Sequence, residues 1–145
     1  MNKLLLLFTL IPCIAFGQTT LIPDANFEQR LIYLGYDTGT PDGSVLTANI
    51  SSVDSLYVWG LSISDLTGIE DFTALTYLNC GYNLLTTLDV SGSTALYQLS
   101  CGDNQLTSLD VSNNTYLTSL YCSYNQLTSL NVSGATSLTR LYCQS

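Results

Sequence analysis

LTYLNCGYNLLTTLDVS (75–91), LYQLSCGDNQLTSLDVS (96–112) and LTSLYCSYNQLTSLNVS (117–133) are three copies of one pattern. Cys80, Cys101, Cys122 and Cys143 stand 21 residues apart, and Leu78, Leu99, Leu120 and Leu141 precede them by two. Asn83, Asn104 and Asn125 follow the cysteines by three. A fixed period of this length specifies a solenoid, in which each repeat buries its apolar face only against its neighbours.

Working outward, the regular repeats are 75–95, 96–116 and 117–137, with a partial repeat at 138–145 that reads as truncated. Residues 53–74 form a divergent first repeat of 22 residues, in which Val58 replaces cysteine and Leu61 replaces asparagine. The missing asparagine predicts a differently shaped turn there. Residues 18–52 read as an N-terminal cap of short helix and loop. Asp24 is its N-cap, Phe27, Leu31 and Leu34 share one helical face, and Gly35 ends the helix. Such a helix covers the first rung of a solenoid. Tyr36 to Ser44 is a turn-rich loop; Asp37, Asp42 and Gly43 lack the alternating oxygens and distal Glu of a calcium loop.

Residues 1–17 have the form of a secretory signal peptide. Lys3 supplies the positive start, Leu4 to Ile14 a short apolar run, and Ala15 and Gly17 the small residues before cleavage ahead of Gln18. The expected location is secreted or cell-surface. No other stretch is apolar enough to span a membrane. Loss of Lys3 moves the net charge from −8 to −9, with Arg30 and Arg140 facing 11 acids. This excludes nucleic acid as a natural partner, since binding it requires neutralising phosphates. Histidine is absent and no lysine survives cleavage, so serine and threonine have neither as a base; paired carboxylates remain arithmetically possible, but Asp89 and Asp110 recur with the repeat and mark structure. The expectation is a non-catalytic chain without cofactor or metal.

The three quoted stretches resemble the leucine-rich repeat family. The cysteine-bearing form is similar to repeats of secreted and surface proteins of Bacteroidetes-type bacteria, and the ISDLTGIEDFTAL segment of the first repeat is similar to internalin repeats. The resemblance implies an α/β-type, mostly β solenoid: a right-handed coil of stacked parallel strands behind a helical cap. It implies a scaffold for binding and names no partner.

Period-two alternation puts Leu78 and Cys80 inside and Tyr77, Asn79 and Gly81 outside. The asparagine amides can satisfy backbone groups left unpaired where the chain turns. Thr94, Thr115 and Thr136 are expected to form a further ladder on the return path. For the cysteines, adjacent strands roughly 4.8 Å apart are compatible with a disulfide, but in-register side chains point the same way and closing the bridge would strain both. A straight column does not converge on a metal, and an inward one is not reactive. The reading that fits is a compact core residue.

Function then belongs to the outward strand positions, rich in tyrosine and nearly uncharged. The candidate contacts are Tyr57, Trp59, Tyr77, Tyr82, Tyr121, Tyr124 and Tyr142. The expected activity is recognition of a protein or glycan along this face, with a spacer or display stalk of a longer surface protein as the alternative. An uncapped last rung would expose Leu138, Leu141 and Cys143, and self-association through it is a further expectation.

Overall fold

The computed structural model describes residues 17–144; the signal segment lies outside the described residues, apart from Gly17. The chain is a solenoid whose main sheet has five parallel strands. These are β3 (Ser55–Tyr57), β4 (Tyr77–Asn79), β5 (Gln98–Ser100), β7 (Ser119–Tyr121) and β9 (Arg140–Tyr142), in that order. Leu56, Leu78, Leu99, Leu120 and Leu141 stand in one register column. The first four are fully buried, and each such leucine contributes about 1.5–3 kcal/mol by leaving water.

Behind this sheet, β6 (Ser108–Asp110) and β8 (Ser129–Asn131) pair in parallel. Their alternation turns Leu109 and Val111 inward and leaves Asp110 outside. The space between the two walls holds Leu85, Leu106, Val90 and the leucines that open each repeat.

The asparagine column joins the rungs. Asn104 Nδ2 donates to the carbonyls of Cys80 at 3.0 Å, Cys101 at 3.2 Å and Gly102 at 3.3 Å, while its Oδ1 accepts from Leu85 N–H at 2.9 Å. Asn125 repeats the pattern onto Cys101 and Leu106. Asn83 donates to Val58 and Cys80 and accepts from Leu61 and Ile63 N–H, so it serves the divergent repeat that has no asparagine of its own. The turn there differs: Gly60 and Ser62 both have positive φ, where later rungs have one such residue each.

The threonine ladder lies elsewhere than expected. Thr94, Thr115 and Thr136 are exposed. The bridging threonines are those at the strand entries. Thr76, Thr118 and Thr139 hydroxyls donate to Asp54, Tyr97 and Thr118 carbonyls one rung back, and Thr128 donates to Thr107 on the far side.

The cap contains more than a helix and loop. β1 (Thr19–Leu21) and β2 (Ser44–Leu46) form a small antiparallel sheet, flanking α1 (Ala25–Tyr33) and followed by α2 (Thr47–Ile50). Asp24 caps α1 through Asn26 and Phe27 N–H, and Gly35 leaves the helix at φ 80°. Phe27 and Leu31 are fully buried, and the Phe27 ring stacks on Phe72 of the first repeat at 6.3 Å. The loop folds around a buried carboxylate: Glu28 accepts Asp42 N–H at 2.7 Å and Gly43 N–H at 2.8 Å. Gly68 sits under the cap with φ 99°, and a Cβ there would come within 2.5 Å of the Leu21 carbonyl.

Asp24 also ties cap to coil, accepting Ser64 N–H at 2.8 Å and Ser64 Oγ–H at 2.9 Å. Burial raises its pKa, but the hydrogen bonds from Ser64, Phe27 and Asn26 outweigh this and hold it below the ordinary carboxylate value. A depressed folded-state pKa contributes stability above the unfolded value, and that stability is lost as pH falls through the folded one. Asp24→Asn is therefore expected to lower the denaturation midpoint at neutral pH. The gap from the parent should close on acidification below the usual carboxylate range, as read by urea titrations at both pH values. Asn104→Ala removes a buried amide that serves four backbone groups. It should cost about 2–4 kcal/mol in chemical denaturation, whereas exposed Asn131→Ala should cost less than about 1 kcal/mol.

Candidate functional site

The outward columns of the main sheet are fixed by register. One runs Ser55, Tyr77, Gln98, Ser119, Arg140 and the next Tyr57, Asn79, Ser100, Tyr121, Tyr142. A third, one step past the strands, runs Trp59, Gly81, Gly102, Ser123, Gln144, as the bonds Gly60 N–H to Gly81 O and Tyr82 N–H to Gly102 O require.

The aromatics do not stand singly on this face. Tyr57 meets Tyr77 with ring centroids 4.8 Å apart, Trp59 stacks on Tyr82 at 5.4 Å, and Tyr121 stacks on Tyr142 at 4.9 Å with planes 6° apart. Such pairs contribute about 0.5–1.5 kcal/mol beyond their buried area, so part of the tyrosine content stabilises the sheet surface. The rings still reach solvent: Tyr57 is 52% and Trp59 59% exposed. Tyr77 and Tyr121 are half-buried. Burial, with the Tyr57 hydroxyl beside it, pushes the Tyr77 phenol above its ordinary value.

Some outward positions are not available. Gly81 lies beneath Trp59, where a Cβ would approach the indole at 3.2 Å, and Ser119 is 1% exposed. The face is therefore an aromatic patch over the first two rungs, a low middle of Ser100 and Gly102, and a second patch at Tyr121 and Tyr142.

The cap adds residues that periodicity did not single out. Arg30 Nε donates to the Tyr57 carbonyl at 2.9 Å and its guanidinium lies 5.1 Å from the Tyr33 ring centre. Tyr97 and Tyr116 are also exposed, on the strand-entry side. Both fall at variable positions of the repeat, where the pattern carries no signal.

Tyr82 and Tyr124, with Asp103 between them, occupy the turn that follows each strand. All three have φ of 55–57°, the left-handed region that favours glycine. Gly60 holds the corresponding place in the first rung.

Cys80, Cys101 and Cys122 are buried, Cys143 is exposed, and all four are free thiols. Burial pushes the Cys80 thiol up to about 12 and the Cys122 thiol, helped by Cys143, to about 11. Among the described residues no cluster of His, Cys, Asp or Glu is arranged to hold a metal. No described helix is long and apolar enough to cross a membrane. A thiol-disulfide reagent added to the native chain from Gln18 onward at pH 8 is expected to label Cys143 promptly. Cys80 and Cys101 should react only after denaturant is added, as followed by mass spectrometry of peptides.

No known family profile matches the chain. It is 41% identical over 69 residues to internalin J of Listeria monocytogenes serotype 4b (strain F2365), a match covering 48% of this chain and 7% of that protein. Among solved structures it is similar to the functional domain of InlJ from Listeria monocytogenes, which includes a cysteine ladder. The TM-score is 0.77 at 40% identity, over 86% of this chain and 28% of that one. An internalin (inlF) from L. monocytogenes str. 4b F2365 follows with TM-score 0.64 and 26% identity, over 83% of this chain and 43% of the other. The chain thus spans a small part of the length of these relatives.

Proposed function

We propose that this leucine-rich repeat solenoid, homologous to internalin J and other internalins, is a non-catalytic module of a secreted or surface protein that binds a protein partner along its strand face. The observation that carries the reading is the pair of aromatic patches. Tyr57, Tyr77, Trp59 and Tyr82 form one, and Tyr121 and Tyr142 the other, on a face with Arg140 as its one charged strand residue. Tyrosine and tryptophan contribute large contact area with few rotatable bonds and are enriched at binding hot spots. Pre-stacking limits the entropy lost on docking. Ser100 and Gly102 leave a trough between the patches that a partner's side chains can fill.

A second reading, a spacer in a longer surface protein, draws on the small fraction of internalin J that the chain matches. The two diverge on the surface rings. With a partner identified on an array of extracellular proteins, Trp59→Ala with Tyr121→Ala is expected to weaken binding at least about tenfold. The chain should stay folded with a melting temperature lowered by no more than about 10 °C, since two ring stacks are lost but both rings lie outside the core. Unchanged affinity would refute the placement of the contact on the strand face, and the finding of no partner for the chain would favour the spacer.

A further inference from the structure

Beside the strand face, the turns after the strands line a groove of about 390 Å³. Its walls include Tyr82, Tyr124 and Leu84, which are 62%, 64% and 47% exposed, with Asp103 between the two tyrosines. Tyr82, Asp103 and Tyr124 belong to successive rungs, linked by the bonds Asn83 N–H to Asp103 O and Asn104 N–H to Tyr124 O. Adjacent strands lie about 4.8 Å apart, so the two tyrosine backbones are separated by about 10 Å.

Each of these three side chains stands on a left-handed backbone. For a residue other than glycine that conformation costs about 1 kcal/mol. Gly60 shows that glycine serves at this turn. The tyrosines are thus not placed here by the needs of the backbone: Tyr82 stacks one face on Trp59 and stays largely exposed, and Tyr124 projects into solvent.

From this geometry we infer that the groove takes a cationic side chain, arginine or lysine, of the partner protein, held between Tyr82 and Tyr124 above the Asp103 carboxylate. The inference rests on the protein-binding reading and adds the chemistry of one contact. A cation is attracted to an aromatic face when it lies within about 6 Å of the ring centre, and a carboxylate between two rings supplies the countercharge and hydrogen-bond acceptors. No basic residue lines the groove. The charge of −9 after signal cleavage, from 11 acids and two arginines, favours approach of a basic segment. An acidic peptide meets repulsion, and a neutral sugar leaves the carboxylate without a charged partner.

Two substitutions test this without disturbing the fold, since each suits positive φ better than the native residue: Asp103→Asn and Tyr124→Gly. The isotope-labelled chain is titrated with a short capped arginine peptide, its lysine and glutamate counterparts, and cellohexaose, with amide shifts followed by NMR. The arginine and lysine peptides should shift amides around Tyr82, Asp103 and Tyr124, and the glutamate peptide should not. Affinity should fall about three- to tenfold in Asp103→Asn and at least about threefold in Tyr124→Gly. It should also weaken as ionic strength rises from about 0.01 M to about 1 M, over which screening shortens from about 30 Å to about 3 Å. Absence of shifts with either basic peptide, shifts unchanged in both variants, or salt-independent binding of cellohexaose at these amides would overturn the inference. Loss of peptide binding in Asp103→Asn alongside intact partner binding in the Trp59 and Tyr121 variant would sink the strand-face reading and leave this one standing.

Discussion

The solenoid depends on one inward-facing amide in each of its three regular rungs. Where the chain leaves each strand it must turn inside its own envelope, and a turn strands backbone N–H and C=O groups away from water. Each such group left unmet costs about 1–3 kcal/mol. Asn83, Asn104 and Asn125 meet them with donors and an acceptor on one short side chain, and each reaches back to the preceding rung as well as its own. Aspartate has the shape but lacks the donors, and leucine, similarly branched, has neither donor nor acceptor. The asparagines therefore set both the turn and the spacing from one rung to the next. The leucine and cysteine columns can stack in register because the turns bring every strand back to the same height.

The cysteines are passengers of that register. Their sulfurs fill a column that in the first repeat is filled by Val58, and the substitution leaves the pairing unchanged: Val58 N–H reaches Asn79 O as Cys80 N–H reaches Ser100 O. A residue that valine replaces without rearrangement is acting as volume. The raised thiol pKa values follow from the same burial.

The repeat was legible in the sequence because it is written several times, and each inward column is checked by its copies. Tyr57, Trp59 and Tyr121 could be assigned to the outer face by counting alone. What counting could not give was contact between rungs. Nothing in the period says that Trp59 leans over Gly81 onto Tyr82, or that Ser119 is covered. The threonine ladder went to Thr76, Thr118 and Thr139 because a hydroxyl must lie beside a neighbour's carbonyl, and recurrence at Thr94 and Thr115 carries no information about that. The cap, which has no copies, yielded its helix through Asp24 and Gly35. Its sheet stayed hidden, since three-residue strands such as Thr19–Leu21 and Ser44–Leu46 are too short to show alternation.

Asp24 starts a helix with one oxygen and holds the first coil with the other. One carboxylate thereby joins the cap to the coil. A bare repeat has no surface to pack against and must close its loop at an entropic loss before any contact offsets it. The first repeat here packs against Phe27, Leu31 and the Asp24 clasp, and each later rung packs against the one before it.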